Sequence, residues 1–173
     1  MHRIAKCLVW AAVLFSVLSL APAPGGAAAA PRDDGVVGTW TLVLVDNVSP
    51  DGSRTHLYGP NPQGFLTFDA EGRYALQIVR SGRPKFASGD KSIGTAEENK
   101  AAVLGANAHF GRYAVDEGKH TLTFRIDHAS FPNWDGTEQT RSFTLKGDLL
   151  TYVVPVPTSG AHVVGEDVWK RLR

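Results

Sequence analysis

The chain has 173 residues, and its 18 Lys and Arg residues nearly balance its 17 Asp and Glu residues, for a formal net charge of +1. Nucleic-acid-binding proteins carry clustered Lys and Arg that neutralise phosphates, and this sequence has no such run, so a nucleic-acid partner is not expected. Its single cysteine, Cys7, cannot form a disulfide within the chain. Stability must therefore come from burial of an ordinary apolar core.

The first 30 residues have the composition of a secretory signal peptide. Two basic residues, Arg3 and Lys6, precede a short apolar run over residues 7–20, and a stretch rich in Ala, Pro and Gly follows. This order of regions, ending in small residues suited to cleavage, is typical of exported proteins. We therefore expect residues 1–30 to be removed and residues 31–173 to form a secreted or periplasmic protein. No later segment is long and apolar enough to span a membrane.

The mature part has the size of one domain. Removing the first 30 residues leaves 143, enough for a single buried core. Without Arg3 and Lys6, the 18 basic residues fall to 16, against 17 acidic ones. We expect this domain to be a monomer.

Alternating apolar and polar residues between turn signals predict eight β-strands. The predicted strands cover residues 36–46, 64–69, 72–80, 109–116, 120–129, 137–145, 148–155 and 162–172. Short turns containing Gly72, Gly118 and Gly147 join three pairs of neighbouring strands. One helix interrupts this order, because Thr95 and Glu98 form the capping-box pattern that begins a helix.

Eight strands linked mostly by short turns favour an all-β fold, an antiparallel up-and-down barrel. Closure of the barrel removes the exposed strand edges that an open sheet would leave. Eight strands also leave an interior wide enough for side chains or one small ligand. A two-sheet sandwich is the alternative, but it needs longer crossover connections than this sequence has. In the barrel, the short mid-chain helix crosses the open end, and residues 81–108 form a mobile lid there.

Several motifs accompany this strand pattern. Gly38-Thr39-Trp40 lies in the first strand, Trp169-Lys170-Arg171 ends the last one, and "YGPNP", "RPKFASGD", "HFGRY" and "SFPNW" lie between them. Together they resemble the bacterial lipocalin-like domain family of calycin barrels, over residues 36–172. The resemblance implies that Gly38, Trp40 and Arg171 are structural, with Arg171 packed across Trp40 at the closed end of the barrel. It also implies a cavity for a small molecule.

Strand direction then places "SFPNW", residues 130–134, at the open end. With Trp40 at the closed end, alternate strands run up and down, and every short turn falls at the closed end. Along several strands, side-chain alternation places a polar residue on the same face as the apolar residues that point inward. These polar side chains are therefore expected in the upper barrel, beneath Trp134 and Phe131 at the rim. The predicted ligand-binding residues are Arg80, His109, Tyr113, Phe124, His128, Phe131, Trp134, Gln139 and Arg141. Solvated strand ends are the plainer interpretation of the polar members, and Trp134 would then be a plug.

Arg141 carries the most specific expectation of this set. No Asp or Glu is clearly placed by the strand pattern to pair with it, and a buried unpaired guanidinium is unfavourable. We therefore expect a ligand with a carboxylate or another oxygen-rich group, whose apolar part faces Leu122, Phe124 and Phe143.

Three classes of function remain open. The first is a binding barrel for a small apolar or amphipathic molecule, without a cofactor. The second is an isomerase- or cyclase-type enzyme, in which His109 or His128 transfers a proton and Arg80 or Arg141 stabilises a developing anion. The third is an envelope protein whose mouth loops contact another protein. A metal site is not expected, because the histidines lack ligand spacing and the mature chain lacks cysteine. No nucleotide-binding or nucleophile-elbow motif is present.

Overall fold

The computed structural model of the chain describes residues 35–158 and 162–173, in which nine strands form one continuous antiparallel sheet. The predicted signal peptide lies outside the described residues. The strands are β1 Gly38–Val48, β2 Arg54–His56, β3 Gln63–Phe68, β4 Arg73–Val79, β5 Ala106–Asp116, β6 Thr121–Ala129, β7 Glu138–Lys146, β8 Leu149–Val154 and β9 Val164–Arg171.

Eight of these strands close into a barrel. From β3 to β9 each strand pairs with the next, β1 pairs with β3, and β1 also pairs with β9 along nearly its whole length. The all-β, eight-stranded up-and-down barrel is therefore confirmed. The strand that the sequence pattern missed is β2, which has three exposed residues and pairs only with the far end of β1.

Two β-bulges change which side chains face the interior. In β1, Leu42 is opposite Trp169 while Leu44 is opposite Val168, so Val43 is an extra residue. In β6, the partners of Phe110 and Gly111 are His128 and Ile126, so Asp127 is extra. An extra residue reverses the inward and outward alternation beyond it. Both bulges lie between the closed end and the open end, so they decide which residues reach the cavity.

The closed end is built around Trp40, as predicted. Its side chain is fully buried, and its indole Nε1 donates a hydrogen bond of 2.9 Å to the Val36 carbonyl. The Arg171 guanidinium covers the indole, with 4.1 Å between the guanidinium carbon and the ring centroid. Gly38 leaves room for this group, because a Cβ there would lie 2.9 Å from an Arg171 nitrogen.

Aromatic side chains fill the barrel above this end. The Phe68 and Tyr113 rings are 4.7 Å apart, and the Tyr74 and Phe124 rings are 4.8 Å apart, both in edge-to-face contact. Edge-to-face pairs add to the hydrophobic stabilisation from burying the rings. Because these side chains occupy the lower interior, only the upper barrel is left open.

The only α-helix among the described residues, α1 Ala96–Leu104, begins at the predicted capping box. Thr95 accepts a hydrogen bond from the Glu98 amide, and Glu98 accepts one from the Thr95 amide. The helix buries no residue, and none of its side chains lines the cavity. It leads directly into the upper end of β5. Within the described part of the chain, no helix has the length and apolar character needed to cross a membrane.

Candidate binding cavity

A cavity opens at the end of the barrel opposite Trp40 and Arg171. It encloses about 490 Å³ of space not filled by protein atoms, a volume that includes the solvent at its open mouth. Its walls combine apolar and polar side chains in similar numbers. The lining residues are Val45, Asn47, Leu57, Tyr58, Leu76, Ile78, Asn107, His109, Trp134, Arg141, Val154, Pro157, Thr158, Gly165 and Asp167.

Arg141, on β7, points into this cavity from below the mouth. Its side chain is only 4 % exposed, and its guanidinium is sandwiched between the Phe124 and Tyr152 rings, at 4.5 and 4.8 Å from their centroids. One terminal nitrogen donates a hydrogen bond of 2.8 Å to the Gln139 side-chain oxygen. The Nε donor has no partner among the described residues. A buried cation thus retains an unused hydrogen-bond donor.

His109, on β5, is the second buried polar group of the cavity. Its Nδ1 lies 2.7 Å from the Tyr74 hydroxyl, and its Nε2 has no partner in the described part of the chain. Burial, with a smaller effect of the Arg141 charge, lowers the pKa of His109 to about 3. The ring is therefore neutral near neutral pH. Among the described residues the Tyr74 hydroxyl has no acceptor other than Nδ1, so we assign the hydroxyl as the donor and place the His109 proton on Nε2.

Asp167, on β9, is a buried acidic group in the same cavity, and it corrects the expectation that Arg141 has no carboxylate nearby. Its side chain is 5 % exposed. Burial raises the pKa of Asp167 to about 6, while the Arg141 charge and the Tyr152 hydroxyl act in the opposite direction and Glu166 raises it further. No nitrogen of Arg141 comes within 4.0 Å of the carboxylate in the described structure. The two charges influence each other across the cavity without direct contact.

Two tyrosines complete the polar surroundings of Asp167. Burial, together with the Asp167 charge, raises the pKa of Tyr58 to about 12. The same two causes raise the pKa of Tyr152 well above its usual range. Both phenols therefore keep their protons near neutral pH. The Tyr152 hydroxyl forms no hydrogen bond of good geometry with another described residue.

The loop that carries Trp134 forms part of the cavity wall. Pro132–Trp134 is one turn of 3₁₀ helix, and Asp135 holds it by accepting a hydrogen bond of 2.7 Å from the Ala129 amide. Gly136 then turns the chain into β7 with a φ of 70°, a conformation that suits glycine. The Trp134 ring packs edge-to-face on His109 at 5.8 Å. It also packs edge-to-face on Phe131 at 5.6 Å.

The predicted site residues fall into three groups. Arg141, His109 and Trp134 line the cavity together. Phe124 and Gln139 lie behind Arg141 and contact its guanidinium.

The third group does not line the cavity. Tyr113 lies in the barrel floor, where its hydroxyl donates to the Asp69 carbonyl at 2.8 Å. Phe131 is partly exposed beside Trp134. Arg80 is exposed and donates a hydrogen bond to the Leu57 carbonyl, which holds the segment that carries Tyr58.

The inward orientation predicted for His128 is wrong. The extra residue Asp127 moves His128 to the outer face of the barrel, where its ring packs against Phe110 at 5.8 Å. Its Nδ1 lies 3.2 Å from an Asp135 oxygen. The bulge requires Gly111 opposite it, since a Cβ there would lie 2.1 Å from the Arg125 carbonyl oxygen. A glycine within a strand is the sequence signal for such a bulge.

Asp167 could have been found from the sequence. It lies two residues before the buried Trp169 and four before Arg171, so side-chain alternation places it inside the barrel. Asn47 is harder to find, because the bulge at Val43 reverses the alternation of β1. Tyr58 lies in the loop between β2 and β3, where the two-residue alternation of a strand cannot predict which way its side chain points. In the described ranges, no three His, Cys, Asp or Glu side chains form a group able to hold a metal ion.

Comparison with known proteins agrees with this architecture. The sequence is 34 % identical over 106 residues to the 4'-hydroxy-3'-methoxypropiophenone carrier protein of Aspergillus oryzae, and the match covers 57 % of this chain and 96 % of that protein. The sequence pattern of the lipocalin-like domain family matches residues 37–172, from the start of β1 to the end of β9. This chain therefore belongs to the lipocalin-like domain family.

Proposed function

We propose that this protein is an exported binding barrel that holds one small aromatic or amphipathic molecule in its cavity, with an oxygen atom of that molecule at Arg141. The observation that carries the proposal is the buried Arg141 guanidinium with an unused Nε donor, in a cavity also lined by His109, whose Nε2 has no partner among the described residues. Buried donors without acceptors are unfavourable, and an acceptor oxygen on a ligand would satisfy the Arg141 Nε.

The related carrier protein supports an aromatic ligand. Its name specifies an aryl ketone, a molecule with one aromatic ring, a carbonyl, a methoxy group and a hydroxyl. The cavity here offers a ring surface at Trp134 and apolar walls at Leu76 and Ile78. Its polar lining residues lie on several strands, among them His109 on β5, Arg141 on β7 and Asp167 on β9. Such a combination suits a compact ring with oxygen substituents better than a long acyl chain.

Export rests on the sequence of residues 1–30 alone. Their basic start, apolar run and small-residue end support cleavage and release as a secreted or periplasmic monomer. The intact mass of the protein recovered outside the cytoplasm tests this. A mass that still includes residues 1–20 would contradict export by cleavage.

An isomerase- or cyclase-type enzyme is the alternative function, and two observations weigh against its predicted acid–base pair. His109 is neutral, with its pKa lowered to about 3, and so is a poor proton acceptor near neutral pH. His128 lies outside the barrel. Loss of signal from the protons beside the carbonyl of a bound ketone in deuterated water, followed by NMR, would reveal proton transfer if it occurs.

Calorimetric titration of the purified protein with 4'-hydroxy-3'-methoxypropiophenone tests the binding proposal. We expect saturable one-to-one binding that Arg141→Met weakens by roughly tenfold or more, as loss of a charged hydrogen-bond donor predicts. The matched control is Arg125→Met, because Arg125 lies on the neighbouring strand but outside the barrel, paired with Glu138 at 2.9 Å. Equal affinity in both variants would contradict the assigned role of Arg141. Absence of binding to the unchanged protein would count against the proposed function.

A further inference from the structure

We propose that Asp167 makes the cavity selective for uncharged ligands that carry both an acceptor oxygen and a hydroxyl, and that it rejects carboxylates. This inference rests on the proposed function and identifies the ligand class of that site. It also replaces the sequence-based expectation of an acidic ligand.

The cavity already contains groups of both charges. Arg141 is cationic, His109 is neutral, and Asp167 supplies a negative charge near neutral pH. The two tyrosines that face the carboxylate, Tyr58 and Tyr152, are uncharged phenols. The guanidinium charge is therefore already balanced by a protein carboxylate. A ligand does not need to bring an anion to make Arg141 stable in the barrel.

A ligand carboxylate in this cavity would be repelled by Asp167. Any ligand oxygen that reaches Arg141 enters a cavity that Asp167 also lines. A ligand carboxylate there would bring a second negative charge close to Asp167, in surroundings that screen charge poorly. It would also compete with Asp167 for one guanidinium. A neutral carbonyl accepts the same hydrogen bonds without this repulsion.

The cavity walls offer both hydrogen-bond donors and a hydrogen-bond acceptor. The Arg141 guanidinium carries only donors, and its Nε has no partner among the described residues, so it favours a ligand acceptor. The Asp167 carboxylate is an acceptor, so it favours a ligand donor such as a hydroxyl. An uncharged molecule with both groups, such as a hydroxyaryl ketone or ester, satisfies both sides of the cavity.

A matched pair of probes tests the selectivity. These are methyl 4-hydroxy-3-methoxybenzoate and the 4-hydroxy-3-methoxybenzoate anion, which share the ring and differ at the charged group. At about pH 7 we expect the unchanged protein to prefer the ester by roughly tenfold or more. In Asp167→Asn the preference should largely disappear, mainly because the anion binds more tightly. The control is Glu166→Gln, since Glu166 is the next residue but pairs with Arg54 outside the barrel at 2.7 Å. It should keep the preference.

A second measurement uses only the unchanged protein, so it does not depend on whether Asp167→Asn folds correctly. Lowering the pH from about 7 to about 5 protonates Asp167 in the unchanged protein, so affinity for the anion should rise several-fold relative to the ester. Tighter binding of the anion at pH 7, or an unchanged preference in Asp167→Asn, would overturn the selectivity while leaving the binding function standing. If neither probe nor the propiophenone binds, the proposed function fails and the selectivity fails with it.

Discussion

Trp40 and Arg171 are direct partners across the seam that closes the barrel. They face each other in the register of β1 and β9, and the guanidinium carbon lies 4.1 Å from the indole centroid. Arg171 also donates hydrogen bonds to the Gly35 and Val37 carbonyls, and so ties down the chain before β1. A shielded cation over an indole contributes about 1–2 kcal/mol. The pair is thus a structural element at the end of the barrel opposite the cavity.

Trp40→Ala should destabilise the fold strongly, because it removes a fully buried indole and leaves Arg171 without its ring. Truncation of a buried large side chain lowers the free energy of unfolding by roughly 3–5 kcal/mol. Urea denaturation followed by circular dichroism measures this. Phe65→Ala is the control, since Phe65 is 57 % exposed on the neighbouring strand and should change stability little. Equal, small effects in both variants would show that Trp40 does not close the barrel.

Gly111→Ala should disrupt the bulge that turns His128 outward. The added Cβ would lie 2.1 Å from the Arg125 carbonyl oxygen, so the backbone of β5 or β6 must move. We expect a loss of about 2 kcal/mol or more in the free energy of unfolding, as for other forced backbone changes. Gly118→Ala is the control, because the nearest atom to its Cβ is an Asp116 oxygen at 3.5 Å. A Gly111→Ala protein as stable as this control would contradict the described bulge.

The ionisation of Asp167 should make the folded state less stable as pH rises. Folding raises its pKa from 3.8 to about 6, so between these values the unfolded chain has lost a proton that the folded chain keeps. Stability should therefore fall through this range and level off above about pH 7, by on the order of 2–3 kcal/mol. Asp167→Asn removes this contribution.

Urea denaturation of both proteins between about pH 4 and about pH 8 measures the effect. The free energy of unfolding of Asp167→Asn, relative to the unchanged protein, should increase over this range. Besides burial, the groups that shift the pKa of Asp167 are Arg141 and Tyr152, which lower it, and Glu166, which raises it; Tyr58 also faces the carboxylate. A pH-independent difference between the two proteins would mean that Asp167 ionises normally.

Trp134→Ala should mainly speed ligand release. The indole forms part of the cavity wall, and Pro132 and Asp135 hold its loop in one conformation. Removal of a rigid wall lowers the barrier to exit more than it affects encounter, so the dissociation rate constant should increase. Stopped-flow displacement of bound 4'-hydroxy-3'-methoxypropiophenone measures it. Phe65→Ala is the control, because Phe65 is exposed, contacts neither Trp134 nor its loop, and does not line the cavity. Equal dissociation rate constants in Trp134→Ala and its control would mean that Trp134 does not slow ligand release.

Residues 81–104 should exchange amide hydrogens faster than residues 120–126, whereas residues 106–108, the end of the predicted lid, belong to the paired strand β5. The helix α1 buries no side chain, and most residues between Arg80 and Thr95 are exposed. By contrast, Leu122, Phe124 and Ile126 are buried in a strand that is paired on both sides. Regions with few buried contacts open locally at low free energy. Hydrogen exchange with mass spectrometry tests this, and equal protection of the two segments would be incompatible with a mobile lid.

The sequence by itself determined the barrel and its closed end. Alternation located the eight barrel strands to within a few residues, and the pair of Thr95 and Glu98 marked the start of α1. Both signals depend on neighbours a few positions apart, so they can be found in a linear sequence. The resemblance around Trp40 and Arg171 then indicated which end is closed, and the structure confirms their packing.

Only the tertiary structure decided which polar groups meet in the cavity. A single extra residue, Asp127, reversed the orientation of His128, since alternation has a period of two and cannot absorb an insertion. The approach of Asp167 to Arg141 depends on the curvature that brings β9 and β7 to one interior, with β8 between them. The positive charge of Arg141 is balanced inside the barrel only because closure brings Asp167, 26 positions later in the sequence, to the same buried cavity.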